Sequence, residues 1–314
     1  MKLAQRLALA TFVLTVALIG LGAYVRATGS GLGCPDWPTC HGGIIPPGSR
    51  HPLIEFSHRF TGTVVGLFVI ATAIAAWKFY RNMPIAVWSA TIAVPLVGVQ
   101  GFLGAITVWR ELPPEIVASH LLTAMVVLTF ELVAFFAMYL EDPARRGRLR
   151  EIAAAPTHLP GKLSIVAIGW LAGIIWIGGY MAESGASTAC TGWPLCNGSV
   201  LPANDGQEIT HMVHRYLAGL FVLILVPLVA VMWRRRDEIF WAKPLALAIG
   251  GLFALQVMVG AFNVWYAFPD ALTVAHTVIA SCVWSALSSA AILTYYAAAR
   301  ERTTQPLHKT KATA

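Results

Sequence analysis

Eight stretches of the chain are apolar and long enough to cross a bilayer, at roughly residues 7–25, 57–77, 84–107, 117–140, 163–182, 211–233, 244–266 and 271–298. Each is close to the roughly 20 residues that a membrane-spanning helix needs. In hydrocarbon every backbone N–H and C=O must be satisfied within its own segment or in a closed barrel, and runs of this length satisfy them as helices. The expected fold is an all-α membrane protein. With 57% hydrophobic and 12% charged residues, little of the chain is left for a soluble domain of ordinary balance.

The eight spans are two sets of four. An offset of 156 positions carries His58-Arg59 onto His214-Arg215, and the same offset carries Cys34 onto Cys190, Trp37 onto Trp193, Cys40 onto Cys196, Gln100 onto Gln256, Gly104 onto Gly260 and His120 onto His276. No insertion or deletion is needed between Gly22 and His120. A period this long is a duplicated half-protein, not a solenoid. Two tandem, pseudo-symmetric four-helix bundles are expected: residues 1–140, a linker over 141–162, residues 163–299 and a polar tail over 300–314. Gly22 and Tyr24 match Gly178 and Tyr180 at the end of the fifth span, so the first span reads as a retained helix and not a cleaved signal.

The cations set the orientation. Lys2, Arg6, Lys78, Arg81, the arginines from Arg145 to Arg150, Lys162, Arg234 to Arg236, Lys243, Arg300 and Arg302 fall at the termini or in alternate loops. The positive-inside rule places both termini in the cytoplasm. It also accounts for the net charge of +7, so no nucleic-acid partner is called for.

The first and third outer loops hold Cys34-Pro-Asp-Trp-Pro-Thr-Cys40 and Cys190-Thr-Gly-Trp-Pro-Leu-Cys196. These cysteines lie on the oxidising face, where disulfides persist. A duplicated unit should be self-sufficient, which favours Cys34–Cys40 and Cys190–Cys196. They read as structural staples or as a redox-active dithiol, although neither loop has the C-x-x-C spacing that lowers a thiol pKa. Covalent haem attachment at Cys40-His41 fails because Trp37 stands where the earlier cysteine is required. Cys282 reads as a buried apolar residue.

Histidines within spans are costly and usually functional. His58 and His120 lie near the outer ends of the second and fourth spans, and His214 and His276 do the same in the sixth and eighth. Two imidazoles at equal depth between apolar helices suit the two axial positions of a porphyrin iron. Zinc suits them less, since it wants four ligands. Arg59 and Arg215 could meet outward haem propionates or lipid phosphates. Gly98, Gly101 and Gly104 allow close approach by a helix or a flat ligand, and Gln100 and Gln256 could join helices.

The halves differ at one telling place. Glu55 shares a helix face with His58, whereas the equivalent in the second half is His211. Glu55 could handle a proton in oxidative chemistry, or it could be a carboxylate favoured by a helix N-terminus. Glu131 also lacks a charged equivalent, because Leu287 stands there, and no role for it follows from the sequence.

Taken together, Glu55-x-x-His58-Arg59, His120, His214-Arg215, His276, the paired loop cysteines and the two four-span halves resemble the haem A synthase family over nearly the whole chain. The resemblance implies an enzyme that oxidises the C8 methyl of haem O to a formyl group, for use in terminal oxidases. It implies a haem b cofactor on His214 and His276, the substrate haem iron near His58 and His120, and Glu55 beside the reacting methyl. It further implies a plasma-membrane location if the source is bacterial, with cysteine loops and haem sites toward the outer face. Partners implied are a haem O synthase upstream and an electron-transfer partner that the sequence does not identify. Three rivals remain: a di-haem b-type cytochrome fed by quinol, a quinone-linked thiol oxidase using Cys34 and Cys40, and a haem carrier.

Overall fold

The computed structural model describes residues 2–140 and 158–304, with side chains through Tyr295. The proposed linker and tail lie mostly outside these residues. Among the described residues there are eight long helices: α1 (Leu3–Ala27), α2 (Arg50–Phe79), α3 (Pro84–Trp109), α4 (Pro114–Leu140), α5 (Leu159–Glu183), α6 (Gly206–Arg234), α7 (Ala242–Trp265) and α8 (Asp270–Thr304). All eight are long and apolar enough to cross a membrane, and no strand occurs among the described residues.

α1 packs on α2, α2 on α3, α3 on α4, and α4 back on α1; α5 to α8 close in the same order. The two sets meet where α1 packs on α8 and α4 packs on α5 and α8. The largest core lies along this seam, around Met125, Leu128, Leu171, Ile174, Val283 and Leu287. At the α4–α5 crossing, a Cβ on Gly179 would stand 3.1 Å from Ala118 Cα, so the missing side chain lets these backbones approach closely.

The helices exceed the apolar stretches at the ends that matter most. α2 begins at Arg50 and α6 at Gly206, well before the hydropathy boundaries at 57 and 211. Hydropathy marks where the polar environment ends, not where the helix begins. The extra turns carry polar residues and are held by the loops described next. Neither Glu55 nor His211 therefore lies in the first turn of its helix, and a helix-dipole role for Glu55 is not the explanation for its position.

Identical backbone conformations recur at the repeat offset. Trp37–Pro38 and Trp193–Pro194 are both cis, and His41 with Asn197, Glu111 with Ala267, and Leu112 with Phe268 all have positive φ.

Candidate functional site

Cys34–Cys40 and Cys190–Cys196 both form disulfides. Each closes a small loop that folds back on the helix following it. In the first loop Arg59 from α2 is the anchor: its Nη1 donates to the carbonyls of Asp36 (2.6 Å) and Thr39 (2.8 Å), and its Nη2 to that of Cys34 (2.8 Å). The same Nη2 pairs with Glu55 Oε1 at 2.5 Å, while Glu55 Oε2 accepts from the Cys34 backbone N–H at 2.7 Å. Glu55 is buried, so a charged pair here is held by both Coulomb attraction and hydrogen bonds.

The second loop repeats the clamp with different chemistry. Arg215 Nη1 donates to the carbonyls of Gly192 (2.8 Å), Pro194 (3.2 Å) and Leu195 (3.2 Å). Its Nη2 lies 2.9 Å from His211 Nε2, and His211 Nδ1 lies 3.0 Å from the Ala186 carbonyl. Arginine offers no acceptor. Nε2 must therefore accept and Nδ1 must carry the hydrogen given to Ala186, which makes His211 a neutral imidazole with both nitrogens engaged. His211 is a loop anchor and has no nitrogen left for a metal.

Both loops are also fastened to the far side of their bundles by edge-to-face tryptophans, Trp37 on Trp109 (6.0 Å) and Trp193 on Trp265 (5.9 Å). The α1–α2 and α3–α4 connections thus share one end of the first bundle. Asp36 caps the first loop, accepting from the Thr39 hydroxyl and from the backbone N–H groups of His41 (2.5 Å) and Gly42 (3.0 Å). The Thr39 hydroxyl, followed by these amides, pulls its carboxyl from the usual 3.8 down to about 2.

Beneath the loops stand the four histidines, one each on α2, α4, α6 and α8. Each ring rests on a glycine of the preceding helix. A Cβ on Gly22 would lie 3.0 Å from His58 Cε1, on Gly178 2.9 Å from His214 Cε1, on Gly260 3.1 Å from His276 Cε1, and on Gly104 3.7 Å from His120 Cε1. In all four, Nδ1 is fully buried and makes no well-formed hydrogen bond, the backbone carbonyls of Ile174 and Gln256 being near His214 and His276, although the residue as a whole is only half-buried. His58 and His120 are close enough to interact electrostatically, and so are His214 and His276. The structure therefore brings the histidines together in two pairs, within their own halves.

Residues 5–288 match the family described as cytochrome oxidase assembly protein, COX15-CtaA. The chain belongs to this family. Among its relatives, the haem A synthase of Alkalihalophilus pseudofirmus is 33% identical over 277 residues, covering 85% of this chain and 89% of the relative. That of Symbiobacterium thermophilum is 31% identical, covering 94% and 96%, and that of Shewanella oneidensis is 30% identical, covering 85% and 89%.

The donor set fits a haem. Two neutral imidazoles per half, each with one nitrogen enclosed by protein and a glycine seat behind the ring, present Nε2 as the remaining ligating atom. Arg59 is largely engaged by its own loop. Four of the five N–H groups of Arg59 are spent on the loop carbonyls and Glu55, which leaves little for a propionate or a lipid phosphate. A Cβ on Gly98 or Gly101 would meet nothing within 4 Å, so of the two expected uses of these glycines tight helix packing does not account for them and approach by a flat ligand is the one left. Gln100 does join helices, its Nε2 donating to the His120 carbonyl at 2.9 Å. Gly22, Gly178 and Gly260 are the site residues that sequence reasoning passed over, although the repeat had already aligned all three.

Proposed function

We propose that this family member is a haem A synthase: a multi-pass membrane oxidoreductase that converts the C8 methyl of haem O to a formyl group. The observation that carries the proposal is the twofold occurrence of a paired, glycine-seated histidine site in a chain of this family. In this reading His58 and His120 receive the substrate haem, and His214 and His276 hold a haem b. That haem b, when bound, supplies one-electron transfer.

Glu55 lies three residues, about one helical turn, before His58 and on the same face. Its two oxygens each make one strong contact, to Arg59 and to the Cys34 N–H. A carboxylate has about four lone-pair sites, so two remain for a substrate hydroxyl or a transferred proton. Arg59 fixes the carboxylate in place, and the disulfide fixes the carbonyls that hold Arg59. Glu55 would act on protons alone: as the hydrated aldehyde loses water it would give a proton to the departing hydroxyl and take one back from the hydroxyl that becomes the carbonyl. His211 cannot do this, since its two nitrogens are committed to Arg215 and Ala186. Chemistry belongs to the first half for that reason.

The orientation follows the cations, with the disulfide loops on the outer face of the plasma membrane and the basic ends in the cytoplasm. Haem O, being insoluble in water, would pass directly from the synthase that makes it.

The test is extraction and mass analysis of haems from full-length protein made with a source of haem O. Wild type should yield haem B with haem A or its hydroxylated precursor. Glu55→Gln should yield haem B with unconverted haem O, while Cys34–Cys40 stays oxidised. Haem B in both halves, with haem O never modified, would make the protein a di-haem cytochrome instead.

A further inference from the structure

Each disulfide loop carries an apolar tip that takes no part in the site described above. Just past its second cysteine the first loop reverses by two backbone hydrogen bonds, from Cys40 N–H to the Gly43 carbonyl (2.9 Å) and from Gly43 N–H to that of Cys40 (3.2 Å). At the repeat offset Cys196 and Ser199 do the same, at 2.9 Å each. The residues that follow the reversal are Ile44-Ile45 in one loop and Val200-Leu201 in the other. They are 83% and 86% exposed in the first tip, 61% and 74% in the second. A lone exposed aliphatic side chain needs no explanation, but an adjacent pair repeated in both copies of the loop marks a contact surface.

Tyr216 fixes the depth of the second tip. Its hydroxyl donates to the Val200 carbonyl, and it lies ten residues, about 15 Å, into α6. Counting back from Trp233, the last residue before Arg234, the roughly 20 residues that a span needs end at His214. Tyr216 therefore stands at the boundary between headgroups and hydrocarbon, where tyrosine is enriched. It shares the exposed flank of α6 with Leu220 and Leu223, the flank that a bilayer covers. The loop thus comes back down along the lipid side of its helix. In the first half the same count, from Trp77 before Lys78, ends at His58. Phe60 takes the place of Tyr216 there and is exposed in line with Leu67 and Ile74.

The chemistry of the tips suits hydrocarbon. No charged residue occurs from Gly42 to Ser49 or from Gly198 to Ala203. Unsatisfied backbone groups are what keep loops out of lipid, and here many are already satisfied or missing. Leu201 N–H donates to Ser199 Oγ (3.2 Å), Ala203 N–H to Glu208 Oε2 (2.8 Å), and the Val200 carbonyl accepts from Tyr216. Pro46, Pro47 and Pro202 have no N–H to satisfy. A protein partner recognised through charge or hydrogen bonds would find little to hold.

We propose that Ile44-Ile45 and Val200-Leu201 are twin membrane anchors, lying in the headgroup–acyl boundary of the leaflet on the disulfide-loop side with lipid chains as their partner. Each loop is then held on three sides: by its arginine clamp, by the tryptophan pair across the bundle, and by lipid at the tip. The anchors stand whatever the histidines bind.

Spin labelling of the full-length protein in lipid nanodiscs tests this, in a Cys282→Ser background because Cys282 is the free cysteine. Labels at Ile45→Cys and Leu201→Cys should collide readily with oxygen, which concentrates in lipid, and poorly with a water-soluble nickel chelate. The oxygen-to-nickel ratio should match that of lipid-facing Leu223→Cys and exceed several-fold that of Asp237→Cys, which is exposed in the basic turn after α6. A phospholipid with a diazirine in its acyl chain, photolysed beside wild-type protein, needs no substitution and should mark both tips. Nickel collisions at the tips as frequent as at Asp237→Cys would place them in water and overturn the proposal. Shielding from both reagents with spin–spin broadening would mean that a second copy covers them, and overturns it equally. So does acyl-chain label that reaches the helices but neither tip.

Discussion

Adding one methyl group at residue 178 should cost the second half its haem. A Cβ there would stand 2.9 Å from His214 Cε1 and 3.2 Å from Nδ1. Carbon atoms in contact settle at about 3.5–4.0 Å, so the ring must retreat by roughly 0.6 Å or more. Metal–ligand distances tolerate only about 0.2 Å, and the ring cannot swing freely because its Nδ1 side is enclosed. Overpacking of this kind costs about 1–3 kcal/mol, which is roughly five- to 150-fold in affinity. Haem retained per protein after dilution should fall in Gly178→Ala, and the low-spin electron paramagnetic resonance signal of a bis-imidazole iron should give way to a high-spin one. Gly169→Ala on the same helix is the control, since its Cβ would meet nothing within 4 Å and alanine favours the helix by about 1 kcal/mol. If Gly178→Ala binds haem with wild-type affinity and an unchanged low-spin signal, the glycine seat does not position His214 and the ligand assignment loses its main structural support.

Two further predictions concern the loops. Arg59→Ala leaves buried Glu55 without its counter-ion and should destabilise the protein by about 3 kcal/mol or more, whereas Arg215→Ala leaves only a neutral imidazole and should cost about 1–2 kcal/mol in lost hydrogen bonds; equal falls in thermal midpoint would contradict the assigned partners. Acid should loosen the first loop late: because Asp36 is held near 2 in the folded loop against an ordinary 3.8, its contribution is complete above about pH 4 and is lost as pH falls toward 2. Reduction of Cys34–Cys40 by a water-soluble phosphine should therefore stay slow down to about pH 4 and accelerate below it, with Asp36→Asn fast at every pH; acceleration in wild type beginning near pH 6 would refute this.

The spans and the histidines were legible in the sequence because both are carried by residue type and spacing. Hydropathy finds a helix wherever lipid demands one, and a 156-residue offset aligns His58 with His214 without any coordinates. The clamps were not legible. Arg59 and its targets Cys34, Asp36 and Thr39 are about twenty or more residues apart, and the targets are backbone carbonyls that every residue possesses. An arginine beside a histidine at a membrane surface therefore looked like a partner for a propionate. Gly22 and Gly178 were visible as repeat partners, but their use depends on which neighbour lies across the helix interface. Glu131 was visible as an asymmetry, but its contact with the Thr15 hydroxyl is made by α1, which only the fold brings alongside.

The two halves keep one frame and diverge in what they do with charge. Glu55 and Arg59 make a pair with no net charge. His211 must be neutral to accept from Arg215, and the other partners of Arg215 are carbonyls, so the second half keeps a positive charge under its loop. A positive charge in a low-dielectric setting favours whichever state of a neighbouring redox centre carries more electrons. On the assignment proposed above, that biases the haem held by His214 and His276 toward accepting an electron. The first half has instead acquired carboxyl groups at two depths, Glu55 under the loop and Glu131 deep in the bundle, where the second half has an imidazole and a leucine. On that assignment the half with His211 and Arg215 would favour taking electrons and the half with Glu55 would handle protons, so the two kinds of transfer that an oxidation needs would fall to different halves of one chain.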